Sequence, residues 1–270
     1  MSNQIPDDSI RSRTESVKKM ETDIFKALTK FDVSVTNALA RESEKLTVNN
    51  RKQKSLVIYN LTTLLNEVSK FTEAVRLDMY SDMYVDLNDL TVEGSLSRLA
   101  QFHGAVTVHN LLTNNALDLQ ETLKTLEEEI YKYVQFSITA EDLAKLKKHM
   151  IEEIETSLSH LSDFEKELNK SNLIQTDDET IKMLISRVID ITTKLRTSEI
   201  NMKDKLTQSD GNILNFLSDY INLMKVSAEA DQIIDVVEDY FYQKNGRELY
   251  DIHKEIHDAF YSLTCAFYNM

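Results

Sequence analysis

Two histidines near the C-terminus come closest to forming a chemical site. His253 and His257 lie four residues apart, so in a helix their imidazoles would share one face and could hold a metal ion between them. Such a site needs a third ligand from elsewhere, and the sequence indicates none. We therefore predict neither a metal site nor a bound cofactor, and we interpret the pair as part of a solvated helix face.

The sequence motifs that mark common enzyme active sites are absent. There is no glycine-rich phosphate loop, no Gly-x-Ser-x-Gly nucleophile elbow, no Cys-x-x-Cys pair and no His-Glu-x-x-His zinc motif. The single cysteine, Cys265, lies in an apolar stretch and is interpreted as a small buried hydrophobic residue. The sequence therefore predicts a protein that is not an enzyme and has no catalytic residues.

The charge of the chain bears on its partners. It carries 45 acidic and 31 basic residues, a formal net charge of −14, so its average surface repels phosphate backbones and anionic lipids. Nucleic acid and membrane are therefore disfavoured as partners. Binding either one would require two short basic clusters to converge, namely Arg51, Lys52 and Lys54, and Lys145, Lys147 and Lys148.

The cellular compartment is indicated by features that the sequence lacks. The N-terminus has no basic and apolar signal sequence, and no window approaches the roughly 18 apolar residues of a membrane span. A lone cysteine suits a reducing environment. We predict an intracellular protein, cytoplasmic or nuclear.

The composition predicts long helices. Only four glycines and one proline occur among 270 residues, which leaves few residues to form tight turns. An apolar share of 41% with 28% charged residues is typical of helical bundles and too apolar for a disordered chain. We predict an all-α fold, an elongated antiparallel helical bundle with coiled-coil character and about six or seven helices.

The domain organisation follows from where the apolar periodicity starts and stops. Residues 1–8 are predicted to be a disordered tail and residues 9–270 a single bundle domain, with a subdivision near 80–95 left open. Apolar spacing and capping residues predict helices over 9–46, 56–80, 95–134, 139–168, 176–208, 212–242 and 246–270. The stretch 47–50 is interpreted either as a break between helices or as a kink within one.

One predicted helix carries a heptad seam. Its apolar residues step alternately by three and four positions: Ile181, Leu184, Val188, Ile191 and Leu195. This spacing is typical of helices that pack in the coiled-coil manner. The seam could pack inside the bundle or against a partner chain, and the sequence leaves both open.

Aromatic residues are concentrated at the C-terminus. Eight of the 21 aromatic residues lie between Tyr240 and Tyr268. Tyr250, Tyr261 and Tyr268 lie off the main apolar stripe of the last helix, so they either close the core or form a second apolar face for a partner.

A short stretch resembles a known family. The residues from Ile189 to Arg196 are similar to an Asp-Leu-Thr-Gly-Glu-Leu stretch in the nuclease subunit of the translin family, which are RNA-binding helical bundles. Lys194 stands where that pattern has its second acidic residue. The resemblance therefore implies nucleic-acid binding without a complete catalytic acidic set.

These patterns together favour an interaction protein. The seam, the aromatic C-terminus and the missing catalytic motifs predict a non-enzymatic helical scaffold or adaptor subunit that binds other helical proteins or itself. The alternatives are a translin-like nucleic-acid-binding bundle and a peripheral membrane-binding helical module.

Overall fold

The computed structural model describes residues 7–80, 91–170, 177–208 and 213–241, together with residues 254, 255, 257–259, 261 and 262. Seven long helices occur in these ranges: α1 (Asp7–Glu44), α2 (Arg51–Tyr80), α3 (Val92–Thr113), α4 (Leu117–Ser137), α5 (Ala140–Lys170), α6 (Glu179–Gln208) and α7 (Ile213–Phe241). The described residues between 254 and 262, called here the C-terminal segment, are also helical. The described chain has no strand, so the predicted all-α helical bundle is confirmed.

Two predicted features fall mostly outside the described residues. Of the predicted tail, only positions 7 and 8 are described, and they already belong to α1, which begins two residues earlier than expected. Of the region where a subdivision was left open, residues 81–90 lie outside the described ranges. The single-domain organisation therefore stays a prediction.

The stretch between α1 and α2 is a break, and the chain reverses there. A single 3-10 turn, Val48–Asn50, separates the helices. The Asn50 side chain accepts the Thr47 N–H at 2.8 Å and donates to the Lys45 carbonyl at 3.0 Å, which fixes the turn without glycine. Because Lys54 bonds to Glu42 and Ser69 to Asp32, the two helices run antiparallel.

The predicted continuous helix over 95–134 is wrong, because the chain turns at Asn114. This residue has a φ of 51°, in the left-handed region, and its N–H donates to the Asn110 carbonyl at 2.7 Å. Asparagine tolerates that conformation better than other non-glycine residues and so ends α3. Helix α4 then returns antiparallel, with His103 of α3 bonded to Glu127 of α4.

The core of the N-terminal half is built around α3. This helix packs against α2, α4 and α7, while α1 packs against α2 and α4. Three buried phenylalanines from different helices meet there, with the Phe102 ring 5.7 Å from Phe31 and 6.3 Å from Phe71. Tilted aromatic pairs at such distances stabilise a core beyond the area that they bury.

Helices α5, α6 and α7 form an antiparallel series. Arg196 of α6 pairs with Glu165 of α5 at 3.1 Å, and Arg187 of α6 pairs with Glu229 of α7 at 2.8 Å. Helix α5 buries one stripe, as its spacing predicts: Leu143, Leu146, Met150, Ile154, Leu161, Phe164 and Leu168. Its predicted capping box is also present, since Thr139 and Asp142 exchange bonds from their backbone N–H groups at 2.9 and 3.1 Å.

The start of α6 is capped differently from the prediction. Thr176, which was expected to open a capping box, lies outside the described residues. An Asp178 side-chain oxygen instead accepts the N–H groups of Thr180 at 3.0 Å and Ile181 at 3.3 Å.

A charged network joins α3, α4 and α7. Glu127 accepts hydrogen bonds from His103, Lys225 and the Tyr131 hydroxyl, and the Lys225 ammonium lies 5.7 Å from the centre of the Tyr131 ring. Burial acts to raise the pKa of Glu127, but the three hydrogen bonds and the positive charge of Lys225 together outweigh it and lower the pKa to about 2.

We expect Glu127→Gln to lower the free energy of unfolding by about 1–2 kcal/mol at pH 7, because Lys225 loses its charged partner in a half-buried site. A folded-state pKa below the ordinary 4.5 stabilises the fold at pH values above 4.5, and this stabilisation is lost as pH falls through about 2. Urea denaturation of the parent and Glu127→Gln at pH 7 measures this change in the free energy of unfolding. The exposed neighbour Glu128→Gln serves as the control, and equal stability of the two variants would contradict the prediction.

Candidate interaction surface

The heptad seam lies in the core of the chain. All five of its residues are at most 2% exposed: Ile181, Leu184, Val188, Ile191 and Leu195. Helix α6 uses this face against α5 and α7. The seam is therefore covered within one chain and offers no surface in this fold.

Helix α6 also has apolar side chains on its outside. Ile189 and Ile200 are 42% and 47% exposed. They lie eleven residues apart, which is close to three helical turns, so they share one outward face. Sequence reasoning missed this face, although the signal was available as apolar residues that do not fit the seam.

A shallow groove runs beside this face. It has a volume of about 210 Å³ between α5 and α6 and is lined by Phe164, Glu165, Leu168, Asn169, Ile189, Thr192 and Thr193. Ile189 supplies an exposed apolar wall, while the threonines and Glu165 supply polar atoms. An apolar floor with a polar rim is the usual anatomy of a protein interface.

Of the three predicted interface tyrosines, the structure describes one. Tyr261 is 53% exposed, whereas its neighbours Ala259 and Ser262 are buried. The C-terminal segment thus packs one side against the protein and shows Tyr261 on the other. Tyr250 and Tyr268 lie outside the described residues.

The basic clusters are partly paired with carboxylates. Lys54 bonds to Glu42, a nearly buried residue that also accepts from Lys45 at 2.8 Å, and Lys145 lies 3.3 Å from Glu141. These pairs reduce the positive potential that a phosphate or lipid surface would meet. Neither cluster presents all its charges to a ligand.

The predicted histidine pair is only half described. His257 is exposed in the C-terminal segment, and His253 lies outside the described residues. A different histidine approaches this segment, because His160 of α5 lies with its Nδ1 3.3 Å from Glu255 Oε2. Sequence spacing could not indicate this contact, since 95 positions separate the two residues.

The sequence also gave no indication of a fully buried carboxylate, Glu199. Glu199 of α6 accepts a hydrogen bond from the Ser157 hydroxyl of α5 at 2.6 Å, and both side chains are inaccessible to solvent. Its second oxygen, Oε2, is buried without a hydrogen-bond partner. Burial raises the pKa of Glu199 to about 7, against the smaller opposing effects of the Ser157 bond and the Arg196 charge.

Comparisons of the chain with protein-family models, curated protein sequences and solved structures find no match. Within the described helices, no stretch combines the length and apolar character needed to cross a lipid bilayer.

Proposed function

We propose that this chain is a non-enzymatic helical scaffold or adaptor that binds other helical proteins, or a second copy of itself, through exposed faces of its helices. One observation carries the proposal: outside its buried seam, α6 exposes two isoleucines on one side, with Thr193 and Arg196 between them. The seam from Ile181 to Leu195 is buried in the core, whereas Ile189 and Ile200 are exposed to solvent. A helix that serves only its own bundle needs one apolar stripe.

The groove between α5 and α6 supports the same proposal. An amphipathic helix binds such a groove by laying apolar side chains, three or four residues apart, into it. Ile189 would contact the apolar side of that helix, and Glu165 at the rim would meet its polar side. Tyr261, half exposed on the C-terminal segment, supplies an aromatic residue of the kind enriched at interfaces.

The test is a double variant, Ile189→Ser with Ile200→Ser, compared with the parent chain in affinity purification from the native cell. Both residues are exposed, so the fold is expected to survive, as circular dichroism would verify. We expect recovery of specific partners to fall at least about tenfold, because apolar anchors dominate binding energy. For self-association, light scattering on the purified chain should show dimers that become monomers in the double variant.

The control replaces an apolar residue of similar exposure on another helix, Leu77→Ser on α2. It should leave both partner recovery and oligomeric state unchanged. Equal loss in the control and the double variant, or no loss in either, would contradict the proposed face. Turnover of a small molecule that survives purification to homogeneity would contradict the non-enzymatic part.

A further inference from the structure

One group of side chains has the composition of a metal site. His160 on α5 faces Glu255 and Asp258 on the C-terminal segment, and one ligand atom from each residue lies within 4.8 Å of the others. Glu255 and Asp258 are three residues apart, so they project from the same side of the helical segment. This set of ligands differs from the His253 and His257 pair that the sequence suggested, because the fold brings in a histidine from α5.

The distances fit a tetrahedral ion after small side-chain movements. Zinc binds nitrogen and oxygen ligands at about 2.0–2.2 Å, which places neighbouring ligand atoms about 3.3 Å apart in a tetrahedron. His160 Nδ1 and Glu255 Oε2 are already 3.3 Å apart. Asp258 has to close by at most about 1.5 Å, and a half-buried side chain has the rotamer freedom to do so.

The donor set indicates the class of cation. One imidazole nitrogen and two carboxylate oxygens suit a divalent transition metal better than magnesium, which prefers oxygen ligands alone. Three protein ligands leave a fourth position for water. From this geometry we infer that His160, Glu255 and Asp258 bind a divalent cation of the zinc type.

The other described histidines beside carboxylates differ from this group. His149 lies 3.7 Å from Glu152, and His103 bonds to Glu127, whose other oxygen is held by Lys225. A lysine ammonium beside a carboxylate competes with a cation for it. Within the described part of the chain, the His160 group alone brings three such ligand atoms together.

The bound cation tethers the C-terminal segment to α5. Its ligands come from two elements far apart in sequence, so an ion between them links the elements directly. Tyr261 follows Asp258 by about one helical turn, so the same ion holds Tyr261 in position at the surface. The inference rests on the ligand geometry and is independent of the proposed partner binding.

Calorimetric titration of zinc chloride into the untagged, chelator-treated full chain tests the inference. We expect one zinc ion per chain, with a dissociation constant in the micromolar range. At zinc concentrations about 100-fold above that constant, Tm should rise by about 5 °C or more, because the ion binds only the folded state. Magnesium should give no comparable rise.

Removing one ligand should weaken zinc binding about 100-fold, both in His160→Asn and in Asp258→Asn. The matched control is His149→Asn, which removes a half-buried histidine beside a carboxylate on the same helix and should leave zinc affinity unchanged. Circular dichroism and Tm without zinc establish that each variant folds; where one does not, Glu255→Gln replaces it. Absence of zinc binding by the parent, or an unchanged affinity in the ligand variants, overturns the inference.

Discussion

Replacing Gly104 with alanine is expected to lower the free energy of unfolding by about 2–3 kcal/mol. A Cβ atom at this position would lie 2.6 Å from the carbonyl oxygen of Ala228, so α3 and α7 would have to move apart. Forcing extra atoms into a packed core costs about 1–3 kcal/mol and occasionally more. Because the clash is with backbone atoms, which cannot rotate away, we place its cost above that range, at about 3–4 kcal/mol. The gain of about 1 kcal/mol that alanine brings to a helix interior reduces the net loss to about 2–3 kcal/mol.

Thermal and urea denaturation measure this change, with Tm expected to fall by about 5–10 °C. The control is Gln101→Ala, which lies on the same helix, is half exposed and should change stability by no more than about 0.5 kcal/mol. A rescue experiment adds a second check. Because the clash involves the backbone of residue 228, Ala228→Gly should not restore the stability of Gly104→Ala. An alanine variant as stable as the parent would show that the helices do not approach this closely.

The fold class could be predicted from the sequence because a helix depends on local features, namely the spacing of apolar residues and the residues that cap its ends. The stripe from Leu143 to Leu168 repeats at the helical period, and the box formed by Thr139 and Asp142 marks the start of α5. Both features depend on neighbours within one or two turns. They were therefore correct without any knowledge of what the helix packs against.

The end of α3 at Asn114 and the close contact between α3 and α7 at Gly104 could not be predicted from apolar spacing. The left-handed residue at Asn114 ends a helix whose apolar pattern continues on both sides, so periodicity alone indicated one helix. Gly104 is required by Ala228, a residue 124 positions away in the chain. Long-range contacts of this kind leave no periodic signal.

The candidate sites show the same division. The heptad seam could be recognised from the spacing of its apolar residues. Whether the seam residues, Ile181 to Leu195, pack inside their own chain or against another chain depends on tertiary packing. Likewise, the sequence drew attention to His257, whereas the ligand that faces the C-terminal segment is His160 on α5. The residue types were informative, and their partners were set by the fold.

Glu199 gives the second large expected effect, a pH dependence of stability. The pKa of Glu199 in the folded chain is raised from 4.5 to about 7, because the carboxyl is fully buried and its Oε2 atom has no hydrogen-bond partner. The folded state therefore binds a proton more tightly than the unfolded state. Its contribution to stability is fully present below pH 4.5 and is lost as pH rises through about 7. Each pKa unit corresponds to about 1.4 kcal/mol, so the loss is about 3 kcal/mol.

The difference between the parent and Glu199→Gln isolates this effect from all other titrating groups. Glutamine resembles the protonated acid, so the two proteins should be nearly equal in stability at pH 4.5, and the variant should be about 3 kcal/mol more stable at pH 8. Urea denaturation across this range measures the difference, and the exposed Glu44→Gln should follow the parent at every pH. Ser157→Ala should enlarge the loss, because Ser157 hydrogen-bonds the ionised form of Glu199. Parallel curves for the parent and Glu199→Gln from pH 4.5 to 8 would mean that this carboxylate is hydrated in the folded protein, contrary to its position between α5 and α6.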